Sequence, residues 1–175
     1  MKPPIPQSSV DISDVVSEDL RAIAGHYASE VVHGVATFDT TIPPTSYWES
    51  KLRASQTGDY PFLVARQTTH RQEVCGWFSL SPYDAKEAYA RCAEFSVYVL
   101  SDFQGQGIGR KLMKRMLEEV KNHPFIETII SRIVPTQIAS VKLHEALGFR
   151  LVGTMIGVGD KLGSLRDVSI YQYTD

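Results

Sequence analysis

Hydrophobic positions follow two different spacings along this chain. Short apolar runs rich in β-branched and aromatic residues are typical of strands, whereas apolar residues repeated every three or four positions are typical of amphipathic helices. The strand pattern occurs over residues 10–15, 61–66, 74–80, 92–100, 126–134, 150–157 and 168–173. The helix pattern occurs over residues 17–32, around 47–52, from 108 to the proline at 124, and over 136–147. This order predicts an α/β (α+β) fold with a mixed, mostly antiparallel twisted sheet and helices on both faces.

The last third of the chain carries the most detailed structural expectations. Thr136 is predicted to cap the final helix and Gly148 to end it, because threonine accepts backbone N–H bonds and glycine tolerates a left-handed helix end. The last two strands are expected to flank a loop that contains Gly159, Gly163 and Asp167. The inner face of the final helix is expected to consist of Ala139, Leu143, Ala146 and Leu147.

Composition and charge limit the kind of protein that this can be. The chain has 175 residues, of which 43% are hydrophobic, and this is enough for one domain over residues 10–175 with its own core. The proline-rich residues 1–9 are expected to form a flexible tail. A formal net charge of −2 argues against nucleic-acid binding, and no apolar run is long enough to cross a membrane.

The cysteines and histidines give no sign of a metal site or a disulfide framework. Cys75 and Cys92 both lie in apolar, strand-like runs, and we interpret them as reduced core residues of a cytoplasmic protein. The five histidines are far apart in the sequence and lack the spacing of metal ligands. We therefore predict no metal ion.

The clearest functional signal is a glycine-rich turn between a strand and a helix. Gly105, Gly107 and Gly109 follow the strand that ends near residue 100, and helix-forming residues begin directly after them. Free backbone N–H groups at a helix N-terminus form an anion site, since the helix dipole favours negative charge there. Arg110, and with it Lys111, would add positive charge. The turn therefore predicts a ligand that carries a pyrophosphate group.

The spacing within this turn distinguishes several kinds of phosphate-binding loop. A dinucleotide-binding loop needs G-x-G-x-x-G, whereas this chain has G-x-G-x-G, and the lysine and hydroxyl of a nucleoside-triphosphate loop are not in place. Gln104, Gly107 and Gly109 instead form Q-x-x-G-x-G after a strand. This pattern resembles the pyrophosphate loop of the GNAT superfamily of acyl-CoA-dependent N-acyltransferases.

A second motif lies one strand further along the chain. Residues 135–149 read P-T-Q-I-A-S-V-K-L-H-E-A-L-G-F, which is similar to the GNAT segment N-x-x-[AS]-x-x-x-[YH]-x-x-x-G-[FY] beside the pantetheine arm. Together with residues 25–27, 36–38 and 93–99, it makes the chain resemble the phosphinothricin acetyltransferase family from about residue 10 onward. The resemblance implies a cytoplasmic homodimer that uses acetyl-CoA to acetylate the amino group of a small amino acid or amino-acid analogue.

The same resemblance implies which residues hold acetyl-CoA. Backbone groups of Val97, Tyr98 and Val99 would meet the thioester carbonyl and the pantetheine amides. Gln137 and Ser140 would contact the cofactor from the second motif, although Gln137 stands where this family usually has asparagine and is one methylene longer. The pyrophosphate would be held by Gln104, Gly105, Gln106, Gly107, Ile108, Gly109 and Arg110.

Acetyl transfer to an amine needs a group that takes the ammonium proton, a donor for the developing oxyanion and a proton for the leaving thiolate. Glu94 matches the carboxylate of the family and is the candidate base. His144 occupies the position where many GNAT enzymes have a tyrosine that is thought to protonate the thiolate, so it is the candidate acid. Each also has a structural interpretation, as a solvent-facing strand glutamate and as a helical histidine without a catalytic role.

The acceptor side of the site is less sharply defined. Asp84 stands where relatives commonly have a positive charge, and Leu165 stands where they often have tryptophan, so the acceptor can differ from phosphinothricin. Two alternatives stay open: a peptide, protein or polyamine amine as the acceptor, and a non-catalytic protein that senses acyl-CoA. The expected substrate contacts are Phe38, Tyr83, Lys86, Glu94, Phe95 and Ser96.

Overall fold

The computed structural model describes residues 10–68 and 73–174, so the tail predicted over residues 1–9 lies outside the described residues. Each predicted strand and helix has a counterpart. The α-helices are α1 (Leu20–His33), α2 (Thr45–Gln56), α3 (Ile108–Lys121) and α4 (Ile138–Ala146). The strands are β1 (Val10–Asp14), β2 (Phe62–Gln67), β3 (Val74–Pro82), β4 (Cys92–Val99), β5 (Thr128–Ile133), β6 (Arg150–Lys161) and β7 (Ser164–Thr174).

The strands form one sheet in the order β1-β2-β3-β4-β5-β7-β6. Neighbouring strands are antiparallel except β4 and β5, which are parallel. A parallel pair needs a long crossover connection, and here α3 lies within that connection. The prediction of a mixed, mostly antiparallel sheet is confirmed.

Helices cover both faces of the sheet, because successive residues of a strand point to opposite sides. Phe78 of β3 belongs to the core cluster that includes Leu112 and Met116 of α3. Its neighbour Trp77 belongs to the cluster on the other face, where its ring packs edge-to-face on Trp48 of α2 at a centroid distance of 5.6 Å. Both tryptophans are almost completely buried. The two cores hold the sheet rigidly around its central strands.

β4 and β5 separate soon after they meet. Their pairing runs from Cys92↔Thr128 to Glu94↔Ile130, whereas β4 continues to Val99 and β5 continues for three more residues. Beyond Glu94 the two strands no longer pair with each other. Their diverging edges therefore leave a gap in the middle of the sheet.

The end of α4 is predicted correctly, but its start is not. Gln137 is the N-cap residue, so the prediction that Thr136 caps this helix is wrong. Gly148 follows the helix at φ 90°, the left-handed conformation in which glycine ends helices. The N-cap of α4 thus lies one residue later in the sequence than predicted.

The inner face predicted for α4 is also only partly correct. Leu143 and Leu147 are half-buried, but Ala139 and Ala146 are exposed. The buried residue of this helix is His144. The reason is that α4 borders the gap in the sheet, so its first turn faces open space instead of a core.

The loop predicted between the last two strands is wrong, because the strands continue through it. β6 ends at Lys161 and β7 begins at Ser164, and these two residues are paired. The turn consists of residues 162 and 163 at φ 54° and 70°, as is typical of a two-residue hairpin turn. Gly159 therefore lies in β6 and Asp167 in β7, where the Asp167 carboxylate accepts a 2.8 Å backbone N–H bond from β6. Glycines usually interrupt strands, but the irregular register of β6 accommodates them.

Candidate active site

A cleft of about 670 Å³ lies where β4 and β5 separate. Residues 95–99 of β4 and residues 131–133 of β5 form its two edges. The glycine-rich turn and the start of α3 close it at one side, and α4 forms a wall. His26 and Glu30 of α1 complete the lining, and burial lowers the pKa of His26 despite the nearby charge of Glu30.

The glycine-rich turn leads into a helix N-terminus whose donors are left open. Gly105 and Gly107 have φ values of 74° and 79°, a left-handed conformation that glycine adopts without strain. α3 begins at Ile108, and no side chain in the described part of the chain caps it. The N–H groups of its first turn have no partners within the helix, and the helix dipole is positive there. The turn therefore offers the donors that a phosphate group needs.

Two contacts fix this turn against its neighbours. Gln104 Nε2 donates a 3.0 Å hydrogen bond to the carbonyl of Val99 at the end of β4. A β-carbon on Gly109 would lie only 3.3 Å from the Leu143 side chain, so α3 and α4 approach closely at this point. A larger residue at position 109 would push the two helices apart and deform the wall of the cleft.

The structure brings together the predicted cofactor residues, with one exception. Gln106 does not line the cleft, and its side chain donates a 3.2 Å bond to the Asp102 carbonyl. The ammonium group of Lys111 donates to the Val10 carbonyl and so ties α3 to β1. The predicted residues that line the cleft are Val97, Tyr98, Val99, Gln104, Gly105, Gly107, Ile108, Gly109, Arg110, Gln137 and Ser140.

His144 lines the cleft from a buried position. Its Nδ1 lies 2.8 Å from the Ser140 carbonyl, and since a carbonyl only accepts, Nδ1 carries the proton. Nε2 is therefore free of a proton in the neutral ring and accepts from the Ser131 hydroxyl, 3.0 Å away. Burial lowers the pKa of His144, which keeps the ring neutral at neutral pH. Ser131 also lines the cleft, so the hydroxyl connects His144 with the open space.

Glu94 stands at the point where β4 and β5 separate, and it forms an ion pair with Arg132 of β5. The two side chains are 26% and 42% exposed, respectively, so solvent and a ligand can reach both. Arg132 also lines the cleft, and its guanidinium carbon lies 5.9 Å from the centre of the Tyr83 ring. The ion pair therefore lies between the cleft and the loop that follows β3.

A half-buried lysine faces the same region. Lys51 of α2 places Nζ 3.4 Å from the hydroxyl of Ser79 on β3. Burial lowers the pKa of Lys51 to about 8, although the charges of Glu94 and Asp39 act in the opposite direction. Lys51 and Arg132 thus both place positive charge near the Glu94 carboxylate.

The predicted acceptor contacts do not all come together. Phe95 and Ser96 line the cleft, and Tyr83 lies beside Arg132 at its margin. Lys86 is exposed on the loop after β3, where its backbone N–H donates a 2.9 Å bond to the Asp84 carboxylate. Asp84 therefore shapes this loop.

Phe38 lies against β6 and is not part of the cleft lining. A side chain on Gly159 would collide with the Phe38 ring, so the glycine gives the ring its space. The neighbouring Tyr27 hydroxyl lies 2.7 Å from the Thr37 hydroxyl and donates a 2.7 Å bond to the Asp39 carboxylate. These contacts anchor the segment after α1, and Phe38 contributes to that packing.

Three residues of this region were not predicted from the sequence: Ser131, Arg132 and Lys51. Ser131 and Arg132 interrupt an apolar run between Ile130 and Ile133, and such an interruption is a sign that a strand borders a polar site. Lys51 carries no such sign, because a lysine on an amphipathic helix is most often an ordinary solvent-facing residue.

Some kinds of site are missing from residues 10–68 and 73–174. Within these ranges no three His, Cys, Asp or Glu side chains are placed to hold a metal ion. Among the same residues, no helix has the length and apolar character needed to span a bilayer. Cys75 and Cys92 form no disulfide there. The absence of a metal ion stays a prediction.

Known proteins resemble this chain over almost its whole length. Phosphinothricin N-acetyltransferase of Streptomyces coelicolor is 33% identical over 94% of this chain and 96% of that protein. L-methionine sulfoximine/L-methionine sulfone acetyltransferase of Salmonella typhimurium is 31% identical over 88% of each chain. The crystal structure of a GNAT superfamily phosphinothricin acetyltransferase from Sinorhizobium meliloti with acetyl-CoA has a TM-score of 0.86 and 30% identity, and the match covers 95% of this chain and 88% of that one.

The family pattern itself also matches. The acetyltransferase (GNAT) family pattern covers residues 31–149, which include the glycine-rich turn, the gap between β4 and β5, and α4. The resemblance deduced from Q-x-x-G-x-G and the second motif is confirmed. The chain belongs to the acetyltransferase (GNAT) family.

Proposed function

We propose that this protein transfers the acetyl group of acetyl-CoA to the amino group of a small amino acid or amino-acid analogue. One observation carries the proposal: a single cleft runs from an open helix N-terminus, along the unpaired part of β4, to Arg132, which forms an ion pair with Glu94 beside the cleft. A donor with a pyrophosphate group and an acceptor with an amino group can meet in such a cleft. The similarity to phosphinothricin and methionine sulfoximine acetyltransferases supports this acceptor class.

The cleft fits acetyl-CoA, which supplies an acetyl group activated as a thioester. The open N–H groups at the start of α3 and the Arg110 guanidinium would hold the pyrophosphate. Val97 and Val99 would use the backbone groups that face away from β3, where β5 has diverged, to bind the amides of the pantetheine arm. Gln137 and Ser140 would contact the same arm from α4.

Glu94 is proposed to take the proton from the acceptor ammonium. The carboxylate is at the margin of the cleft and is 26% exposed, so an acceptor can approach it. Ser96 is two residues further along β4, on the same face of the sheet, and lines the cleft. An amine deprotonated at Glu94 therefore needs to move only a short distance along β4 to enter the cleft.

His144 is proposed to act on the reaction through Ser131. The neutral ring accepts the Ser131 hydroxyl proton at Nε2, so His144 orients that hydroxyl at the wall of the cleft. Attack of the amine leaves one further proton on the acceptor nitrogen, and this proton is proposed to pass to the Ser131 oxygen while the Ser131 hydroxyl proton moves to Nε2 of His144. The same proton relay, run in reverse, gives a proton to the leaving thiolate and returns the ring to its neutral form.

Acceptor-dependent release of thiol from acetyl-CoA tests the proposed activity. The acceptors are L-methionine sulfone, L-methionine sulfoximine, phosphinothricin, a short peptide and spermidine. We expect release with the amino-acid analogues. Thiol release with none of the acceptors would contradict the proposed acetyltransferase activity. Release with the peptide or spermidine alone would contradict the proposal that the acceptor is an amino acid or its analogue.

The variant Glu94→Gln tests the proposed role of Glu94 as the general base. We expect kcat to fall by roughly 100-fold or more, with the acetyl-CoA affinity in calorimetry unchanged. Glu127→Gln is the matched control, because Glu127 is also paired with an arginine, but its partner Arg91 does not line the cleft, whereas Arg132, the partner of Glu94, does. Equal kcat values for Glu94→Gln and the parent protein would remove Glu94 from the mechanism.

We also propose that the protein forms a homodimer through the β6–β7 hairpin. β6 is an edge strand of the sheet, and Ile156 and Leu165 are 76% and 71% exposed. Clustered apolar exposure of this kind marks protein–protein contact surfaces. Further exposed apolar side chains of the hairpin are Leu151, Val152, Met155, Val158 and Leu162.

Light scattering coupled to size-exclusion chromatography tests the dimer. The parent protein should elute with twice the mass of the 19.5 kDa chain, and Ile156→Asp should elute as a monomer. Val16→Asp is the control, since Val16 is 47% exposed and lies just after β1, the strand at the opposite edge of the sheet from β6. A parent protein with the mass of one chain would contradict the homodimer.

A cytoplasmic location is proposed as well. Acetyl-CoA is an intracellular metabolite, and Cys75 and Cys92 are suited to a reducing compartment because they form no disulfide among the described residues. Fractionation of cells that express the tagged protein tests the location. Recovery with a periplasmic or membrane marker would contradict it.

A further inference from the structure

The Glu94–Arg132 ion pair places one negative and one positive group side by side at the margin of the cleft. An α-amino acid carries the opposite arrangement, with its ammonium and its carboxylate attached to the same carbon atom. The ammonium of such a molecule complements Glu94 while its carboxylate complements Arg132. A simple amine complements Glu94 alone.

We propose that Arg132 binds the carboxylate of the acceptor, and that it leaves Glu94 when it does so. This assignment rests on the proposed acetyltransferase function and narrows its acceptors to zwitterionic α-amino acids. Without an acceptor, Arg132 donates to Oε1 of the Glu94 carboxylate and so holds one of its two oxygens. The incoming carboxylate takes over Arg132, and Glu94 becomes available to the ammonium of the same molecule.

The surroundings of Arg132 suit this exchange. The guanidinium presents five N–H donors in a plane and can bind a carboxylate through two of them, while Glu94 receives a bond from Nη1. The Tyr83 ring, 5.9 Å from the guanidinium carbon, supports the cation through its face. The Arg132 side chain is 42% exposed, so it can exchange one carboxylate partner for another without disturbing the hydrophobic core.

Other cations of the region are less suited to this role. Arg91 is 67% exposed, is paired with Glu127 and does not line the cleft. Lys86 is exposed on the loop after β3. Lys51 is close to the Ser79 hydroxyl, but an ammonium group lacks the planar fork that matches a carboxylate.

The experiment compares three acceptors that differ in one group: L-methionine sulfone, its primary amide, and the corresponding amine without the carboxyl group. In the parent protein, we expect the acid to have a kcat/KM roughly 10- to 100-fold above those of the amide and the amine. In Arg132→Gln, the KM for the acid should rise by a similar factor, whereas the constants for the amide should change by less than about threefold. Arg132→Lys keeps the charge without the fork and should give an intermediate KM.

Arg91→Gln is the matched control, because it also removes an arginine from an ion pair with glutamate, and it should leave all constants unchanged. Calorimetry with the acid in the presence of coenzyme A gives a second measurement that does not depend on turnover, and Arg132→Gln should weaken that binding selectively. Thermal melts show whether each variant is folded.

Four outcomes would overturn the assignment. An equal loss for the acid and the amide in Arg132→Gln would show that Arg132 has a structural role. A selective loss for the acid in Lys51→Met, with none in Arg132→Gln, would place the carboxylate at Lys51. Thiol release with none of the acceptors would refute the proposed function itself and this assignment with it, whereas turnover of the amide and the acid at equal efficiency would refute the assignment alone.

Discussion

The Ser131 hydroxyl lies 3.0 Å from Nε2 of His144, and this hydrogen bond connects β5 with α4 along the wall of the cleft. The tautomer is fixed from the other side of the ring, because Nδ1 donates to the Ser140 carbonyl. His144 therefore accepts from Ser131, and the two side chains line the cleft together.

Ser131→Ala should lower kcat by roughly 10- to 100-fold and leave the KM for acetyl-CoA nearly unchanged, because it removes the proton-bearing group between His144 and the cleft. Steady-state kinetics measure both constants. Ser169→Ala is the control, since Ser169 is a buried serine that bonds Thr154 on β6 and does not line the cleft. An unchanged kcat for Ser131→Ala would exclude the relay.

Gly107→Ala should weaken the binding of acetyl-CoA. A residue with a β-carbon in the left-handed conformation of Gly107, φ 79°, costs about 1–2 kcal/mol, so the turn would relax away from the geometry that presents its N–H groups. We expect the Kd in calorimetry to rise by roughly 5- to 30-fold. Gly25→Ala on α1 is the control, because a β-carbon there meets nothing within 4 Å. An unaltered Kd for Gly107→Ala would argue against coenzyme binding at this turn.

Lys161→Met should destabilise the fold. The Lys161 ammonium is buried and donates to the Val31 carbonyl at 2.6 Å and to the Asp39 carbonyl at 2.5 Å, where it supports the end of α1. Its loss leaves two carbonyls without this partner and should lower the free energy of unfolding by about 2–4 kcal/mol. Urea titration measures the change. Lys142→Met, at an exposed position of α4, should stay within about 0.5 kcal/mol of the parent protein.

Lys51 should make stability depend on pH in the alkaline range. Its pKa is about 8 in the folded protein against an ordinary value of 10.5, so between these values the unfolded chain binds more protons than the folded one. The free energy of unfolding contributed by this group therefore rises with pH from about 8 to about 10.5. Lys51→Met should be more stable than the parent protein at pH 7, and the difference should shrink at pH 9 and 10. A difference that is constant over this range would contradict the shifted pKa.

The sequence was sufficient to predict the sheet, its helices and most of the residues that line the cleft around the glycine-rich turn. The glycine-rich turn can be recognised in the sequence because its backbone conformation requires glycine. Gly105 and Gly107 both have positive φ values, which glycine adopts without strain. The periodicity of helices and strands is also visible in consecutive residues, so these elements could be predicted from the sequence as well. Gly159 was wrongly interpreted as a loop residue. It is a strand residue that makes room for the ring of Phe38, which is distant in sequence.

The acceptor side could not be predicted in the same way, since its residues meet only in the folded sheet. Glu94 and Arg132 are 38 positions apart in sequence, and they come into contact because the parallel register places β5 beside β4. Lys51 reaches the same region from α2 through tertiary packing. Side-chain pairs of this kind leave no spacing pattern that one sequence can show.

The backbone pairing between β4 and β5 consists of three residue pairs. Beyond these pairs a shared core, which includes Phe95 of β4 and Ile129 of β5, holds the two parts of the sheet together, and the strand edges border the open cleft. A molecule that bonds both exposed strand edges replaces the missing ladder and makes the sheet continuous. Binding and folding are therefore thermodynamically linked, and at 100 times its dissociation constant such a ligand adds about 2.7 kcal/mol to the stability of the fold.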